Sequence, residues 1–359
     1  MQHDRVPYAG RVEGVRSGLA EKDALLFLHP KNIRYLAGFT GGDGALMVGG
    51  DWLTLLVDGR YVTQAHGEVS GVEVFEFRNR ADGIAAVARQ HGAEKIHFES
   101  LDLSVDEYFR LKDMLPGTTF LPLADRFRMI RAVKDEGEVE RIRQAARIAG
   151  EALASIRGMI RPGVREDEVA FELDCRMRRG GAEQVSFDTI VAFGPNAALP
   201  HASPGSRVVA DGDVVLIDYG AVFAGYHSDE TCTFFLGRAS DRQREVYGLV
   251  REAHDRGVRA VRAGVSCGEI DRIVRSCLAD AGMGAYFSHA TGHGVGLDVH
   301  EPPRLAAGRD ELLMAGMVVT IEPGIYLPGA FGVRIEDTVL VTEEGCEVLT
   351  PSSKDLVIL

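Results

Sequence analysis

Four carboxylates in this 359-residue chain stand where strands should be buried. Asp218 closes the apolar run Val214-Val215-Leu216-Ile217, and a turn around Ala224-Gly225-Tyr226 brings the chain back to Asp229. Glu322 follows Met317–Ile321, and Glu336 lies in the stretch Val333–Val341 beyond a turn at Leu327-Pro328-Gly329. Each pair fits the two arms of a hairpin. Ionised carboxylates at the ends of apolar strands cost several kcal/mol each to desolvate, and neighbouring ones repel. Divalent cations relieve both penalties. Thr291-Gly292-His293-Gly294-Val295-Gly296 adds a histidine between glycines, which would let the backbone bend closely around an ion. A donor set of four carboxylates and one imidazole suits Mn²⁺ or Co²⁺, with Zn²⁺ or Fe²⁺ also compatible. One ion rarely needs four carboxylates, so two ions sharing oxygens are expected. Such a pair activates water and polarises a carbonyl or phosphoryl oxygen. The chemistry expected is two-metal hydrolysis.

Positioning these residues requires a domain built from two similar halves. Arg161-Pro-Gly163-Val164 followed by Glu168 recurs as Arg262-Ala-Gly264-Val265 followed by Glu269, and each copy opens an amphipathic helix ending near a glycine, Gly181 or Gly282. His201-Ala-Ser-Pro204 matches His300-Glu-Pro-Pro303, Val215-Leu-Ile-Asp218 matches Val319-Thr-Ile-Glu322, and Asp229-Glu-Thr231 matches Glu336-Asp-Thr338. Four matches in one order, each spaced by roughly 100 residues, indicate a pseudo-two-fold repeat of helix, helix, loop with histidine, strand, turn, strand. A long amphipathic helix over about 134–160 leads into this domain, with Asp135 as its N-cap and Val139, Ile142, Ala146, Ala149 and Leu153 on its apolar face. Upstream, strands are expected at Ala24–His29, Ala45–Val48, Trp52–Val57, Val72–Phe77 and Lys95–Glu99, with helices at Ile84–Gln90 and Val105–Leu115. The expected division is therefore an α/β N-terminal domain over 1–124 and an α+β C-terminal domain over 125–359.

The strings around these residues resemble the pita-bread metallopeptidases, which comprise methionine aminopeptidase, aminopeptidase P and prolidase. They are Ile217-Asp218-Tyr-Gly-Ala, Ser228-Asp229-Glu-Thr, Gly292-His293-Gly-Val-Gly-Leu-Asp-Val-His300-Glu, Ile321-Glu322-Pro-Gly-Ile-Tyr and Arg334-Ile-Glu336-Asp-Thr. Upstream, Asn32-Ile33-Arg34-Tyr35-Leu36-Ala-Gly38-Phe39-Thr40-Gly41 and Asp58-Gly59-Arg60-Tyr61 resemble the mixed-sheet domain that precedes the catalytic domain in creatinase and prolidase. Methionine aminopeptidases generally lack that domain, so the resemblance implies cleavage of the bond before proline in short peptides. By that resemblance Asp218 and Asp229 would hold one ion, His293 and Glu322 the other, and Asp229 and Glu336 would bridge them. Glu322 would accept a proton from water, and His201 and His300 would flank the scissile peptide. Arg334, two residues before Glu336, would orient a carboxylate. Arg304 would meet a substrate carboxylate, and His289 would back the ligands or serve the fold. A homodimer is implied by the resemblance alone.

Composition sets the remaining expectations. The formal charge of -13 disfavours phosphate backbones as partners, so no nucleic acid is expected. Five cysteines without a C-x-x-C pair indicate neither a disulfide framework nor a thiolate zinc site. No leader-like start and no apolar run of about 20 residues points to a cytoplasmic protein away from membranes. His227 reads as a surface-loop residue. Competing readings are a methionine-aminopeptidase-like enzyme, a peptide-binding protein on an inactive fold, and a metal-free amidino hydrolase. The complete ligand set argues against the last two.

Overall fold

The computed structural model describes residues 8–123 and 129–359. The start at residues 1–7 and the boundary expected between 124 and 125 lie outside the described residues. Contacts divide the chain into two units, Met1–Arg131 and Ala132–Leu359.

The first unit is a mixed six-stranded sheet. Its spatial order is Glu73–Phe77, Leu53–Asp58, Ala45–Val48, Asp23–Phe27, Lys95–Glu99 and Thr119–Leu123. Ala45–Val48 is antiparallel to both neighbours, and the outer pairs are parallel. Five strands and the helices Arg80–Gln90 and Val105–Met114 lie within a few residues of the expected positions. The reading from sequence missed Tyr8–Arg16, Pro30–Ala37, Val62–Glu68 and Thr119–Leu123. The three helices are too short to show a clear 3.6-residue period. The strand carries Pro122, which argues against a central strand; it stands at the edge of the sheet, where proline is tolerated.

The second unit begins with the helix Glu136–Ile156, followed by one short 3₁₀ turn at Arg157–Met159. Asp135 caps it reciprocally: its side chain accepts from Glu138 N, and Glu138 accepts from Asp135 N. The expected apolar face is buried. The helix Glu166–Arg179 and its counterpart Cys267–Asp280 then follow the matched glycines, and Asp241–Ala260 is the second half's equivalent of the leading helix.

Between the helix pairs lie the strands that carry the chemistry. Ile190–Phe193, Val214–Tyr219 and Glu230–Phe235 form one antiparallel sheet. Glu301–Leu305, Gly292–Gly294, Val318–Ile321, Asp337–Val341 and Cys346–Val348 form another. The two meet along Glu230–Phe235 and Asp337–Val341, where Glu336 N donates to Thr231 O at 3.2 Å and Thr338 Oγ1 donates to Asp229 O at 2.7 Å. Successive strand residues face opposite sides. Val215 and Ile217 therefore pack with Leu153, Val169 and Leu173 of the first helix pair, while Val214 and Leu216 pack with Val246, Val250, Val274 and Leu278 of the second. Burial on both faces explains why these strands read as continuous apolar runs.

One strand differs from expectation. Val333–Val341 is broken at Ile335 and Glu336. Phe331–Arg334 pairs with Gly324–Leu327 as a separate two-stranded sheet, and the chain then moves across to pair Asp337–Val341 with Val318–Ile321. No helix among the described residues is long and apolar enough to cross a membrane.

The leading helix passes very close to the segment that follows the last strand. A Cβ built on Gly150 would lie 2.3 Å from Pro351 Cγ, and a proline ring cannot swing aside. Glycine to alanine in a helix interior ordinarily gains up to about 1 kcal/mol. We expect Gly150→Ala to lower the melting temperature instead, measured by calorimetry; a rise would show that the helix and Pro351 separate freely.

Candidate metal centre

The break before Asp337 matters because it turns Glu336 toward the first half. Asp229, His293 and Glu336 each offer a ligand atom, and the three atoms lie within 4.8 Å of one another. His293 Nε2 stands 3.6 Å from Asp229 Oδ2 and 3.5 Å from Glu322 Oε1. Asp218 lies close enough to act electrostatically on Asp229, Glu322 and Glu336, its Oδ2 accepting from Arg334 Nη2 at 2.6 Å. The fold thus brings together all five residues singled out as ligands. His201 and His300 are both exposed, and the His300 ring lies edge-on to His293 with centroids 4.3 Å apart. Burial lowers the His300 pKa, and the nearby His201 pushes it further against the pull of Asp218.

The residues around the ligands set their orientation. His293 Nδ1 lies 3.1 Å from Gly294 O, which places its proton there and leaves the Nε2 lone pair facing the carboxylates. Thr231 Oγ1 donates to Glu336 Oε2 at 2.7 Å, and Thr231 pairs with Asp218 across the sheet. Arg334 donates to Thr231 Oγ1, Tyr326 OH, Pro200 O and Asp218. The strand ends at Arg334, two residues before Glu336, and the carboxylate it pairs with is that of Asp218. His289 Nδ1 lies 2.8 Å from Ala290 O and Nε2 2.8 Å from Tyr326 OH. A line of hydrogen bonds therefore runs from Arg334 through Tyr326 to His289, whose Nδ1 stands 3.8 Å from Glu322 Oε2.

Arg304 is exposed and pairs directly across the sheet from His293, so both side chains leave the same face. His227 is buried, with Nδ1 2.9 Å from Ser186 Oγ, which corrects its reading as a surface residue: the short hairpin at Ala224 folds the strand inward. The glycines beside His293 also serve differently from expectation. A Cβ on Gly292 would lie 1.9 Å from Thr320 O and one on Gly294 2.3 Å from Pro302 O, so they admit the neighbouring strands. Tyr326 and Thr231 were not found from sequence. Both lay inside or beside the matched strings, but a hydroxyl in a strand carries no signal until its partner is known.

The donor set fits divalent cations. His293 Nε2 faces acceptor oxygens beyond hydrogen-bonding distance, and Asp218 Oδ1 is buried with no hydrogen-bond partner among the described residues. Burial, reinforced by the other carboxylates, raises Asp229 and Glu336 well above the usual carboxylate range. Burial pushes Glu322 up to about 8, against the pull of Arg334. Burial pushes His293 down to about 3 and His289 down to about 4. Without cations the native state holds carboxyl protons that the unfolded chain releases near 4.5, so rising pH favours unfolding until Glu322 ionises near 8. The buried histidines oppose this trend only weakly in that range, because the unfolded chain's imidazoles are already half neutral at about pH 6.5. We expect the melting temperature of chelated protein to fall by roughly 5 °C between about pH 6.5 and 8, and Mn²⁺ to flatten the profile. A flat profile in chelator would contradict the electrostatics of the cluster.

Residues 140–343 match Metallopeptidase family M24, and residues 11–133 match the Creatinase/Prolidase N-terminal domain. The chain is 38% identical over 336 residues to a Xaa-Pro dipeptidase of Pyrococcus furiosus, covering 93% of this chain and 95% of the relative. Its fold is similar to a Xaa-Pro dipeptidase structure from Bacillus anthracis, with TM-score 0.95, 40% identity, and 98% and 100% of the two chains covered. It is also similar to an X-Pro aminopeptidase structure from Thermotoga maritima MSB8, with TM-score 0.90, 35% identity, and 97% and 100% covered. An α/β creatinase-type N-terminal domain ahead of a pseudo-symmetric domain whose carboxylates and histidine converge is the architecture of a metal-dependent peptidase, and the chain belongs to metallopeptidase family M24.

Proposed function

We propose that this enzyme hydrolyses the Xaa-Pro bond of short peptides, with dipeptides as its preferred substrates. The convergence of Asp229, His293 and Glu336 beside Asp218 and Glu322 carries the reading, in a chain similar over most of its length to Xaa-Pro dipeptidases. Asp218, Asp229, His293, Glu322 and Glu336 would hold two divalent cations, Mn²⁺ or Co²⁺ by the oxygen-rich donor set. When bound, such ions supply Lewis acidity and lower the pKa of water.

The chain's own residues supply the rest. Glu322 takes the proton of the attacking water: its buried carboxyl lies beside His293 and is backed by His289. His300 and His201 face the substrate from equivalent places in the two halves and stabilise charge developing on the carbonyl oxygen. Arg334 holds Asp218 aimed through a 2.6 Å charge-assisted hydrogen bond. Arg304, opposite His293, meets the free carboxylate of a dipeptide.

Glu322→Gln should retain the fold and lose at least about 100-fold in kcat, the scale of a lost general base. Chelation should abolish turnover and Mn²⁺ or Co²⁺ should restore it. Wild-type turnover in either case would rule out this mechanism.

Substrate length is decided by Arg304. Arg304→Met should raise KM for Ala-Pro by about tenfold, the worth of a lost charge-assisted hydrogen bond, with a smaller change for Ala-Pro-Ala. Wild-type preference for Ala-Pro-Ala, with KM for Ala-Pro unmoved in the variant, would favour the aminopeptidase reading.

A further inference from the structure

Behind the candidate centre lies a second buried ionic cluster that the chemistry above does not use. Asp229 and Glu336 are each followed by another acid, Glu230 and Asp337. Successive residues of an extended chain point to opposite faces, so while Asp229 and Glu336 face the centre, Glu230 and Asp337 face away from it. Both are nearly fully buried, as is Lys354. The Lys354 ammonium donates to Glu230 Oε1 and lies 3.3 Å from Asp337 Oδ1, joining the two strands with one cation.

Lys354 reaches this place on a strap that crosses both strands. Leu349 N donates to Thr338 O at 2.9 Å, and Thr350 Oγ1 to Asp337 Oδ1 at 2.6 Å. Ser352 N then donates to Glu230 Oε1 at 3.1 Å. Tyr219 OH donates to Glu230 Oε2 at 2.7 Å and lies 3.0 Å from Ser352 Oγ. On the Asp337 side, His254 Nε2 lies 3.1 Å from Oδ2. Tyr247 OH donates to Lys354 O at 3.0 Å, which fixes the strap's backbone.

We propose that Lys354 is a positioning residue for the metal centre. It draws Glu230 and Asp337 together and so sets the separation of the strand positions that present Asp229 and Glu336 on the opposite face. The proposal rests on the reading of that face as a metal site. On each face two acids from different halves approach one another. Without a cation behind them, both faces would push the strands apart. Lys354 removes the repulsion on its own face and leaves the other face at the spacing that incoming ions require. Removing one member of a buried ion pair leaves uncompensated charge, so the effect of losing Lys354 should be transmitted to the strands.

The test uses the full chain, stripped with chelator and titrated with Mn²⁺ alone by calorimetry, with metal-free melting temperatures measured alongside. Lys354→Met should weaken Mn²⁺ binding at least tenfold, and Lys354→Arg should recover most of the loss. Tyr219→Phe, which removes one neutral hydroxyl from Glu230, should weaken binding severalfold with little change in the metal-free melting temperature. A Lys354→Met protein that melts lower yet binds Mn²⁺ like wild type would overturn the proposal, since that is the signature of a stabilising residue only. Should Lys354→Met fail to fold, unchanged Mn²⁺ affinity in Tyr219→Phe would overturn it equally. If the wild-type chain takes up no Mn²⁺, the metal reading itself fails, and the clamp with it.

Discussion

Concentrated negative charge inside an apolar fold is the constraint on which the rest of this domain depends. Asp218, Asp229, Glu322 and Glu336 approach one another where water screens them poorly, and the raised carboxyl pKa values of Asp229, Glu322 and Glu336 express the cost. Every nearby polar feature offsets part of it. Arg334 neutralises Asp218, Thr231 donates to Glu336, and His293 is kept neutral with its lone pair facing inward. Arg334 is itself buried and would be costly alone, so Asp218 and Arg334 are each tolerable only because the other is present.

The two halves solve this problem jointly. The matched triads Asp229-Glu-Thr231 and Glu336-Asp-Thr338 exchange hydrogen bonds: Thr231 donates to the Glu336 carboxylate, and Thr338 to the Asp229 carbonyl. The repeat is thus more than similarity of fold, since each copy donates a threonine hydroxyl to the other, one to the Glu336 carboxylate and one to the Asp229 backbone. His293 and the separate Gly324–Arg334 hairpin break the symmetry. The hairpin brings Tyr326 and Arg334 to Asp218, and in the first half the corresponding hairpin at Ala224 instead turns His227 inward against Ser186.

Much of this was legible in the sequence. The ligand strands show as apolar runs interrupted by acids because they are buried on both faces. The leading helix shows because Asp135 and the apolar positions agree on its start and its buried side. What escaped has physical reasons. The strand break before Glu336 depends on pairing with a partner more than a hundred residues away, and no local residue type marks it. Tyr326 is an ordinary strand tyrosine until Arg334 and His289 stand beside it. Glu230, Asp337 and Lys354 were not singled out, since burial of an ion pair is visible only when both members are placed. The glycines around His293 were noticed for the right property, close approach, but the neighbour that approaches is a strand backbone.

The span of these contacts along the chain has a consequence for how the centre comes into being. Asp218 and Arg334 are 116 residues apart, Thr231 and Glu336 105, and Glu230 and Lys354 124. Contacts of such separation form late, because loop closure must be overcome before they contribute. No local stretch of the nascent polypeptide gathers enough donors to retain an ion as it is synthesised. Acquisition of metal is therefore an event of the nearly finished fold, and a chain arrested before its last strap is made would carry all five candidate ligands with no fixed geometry in which to use them.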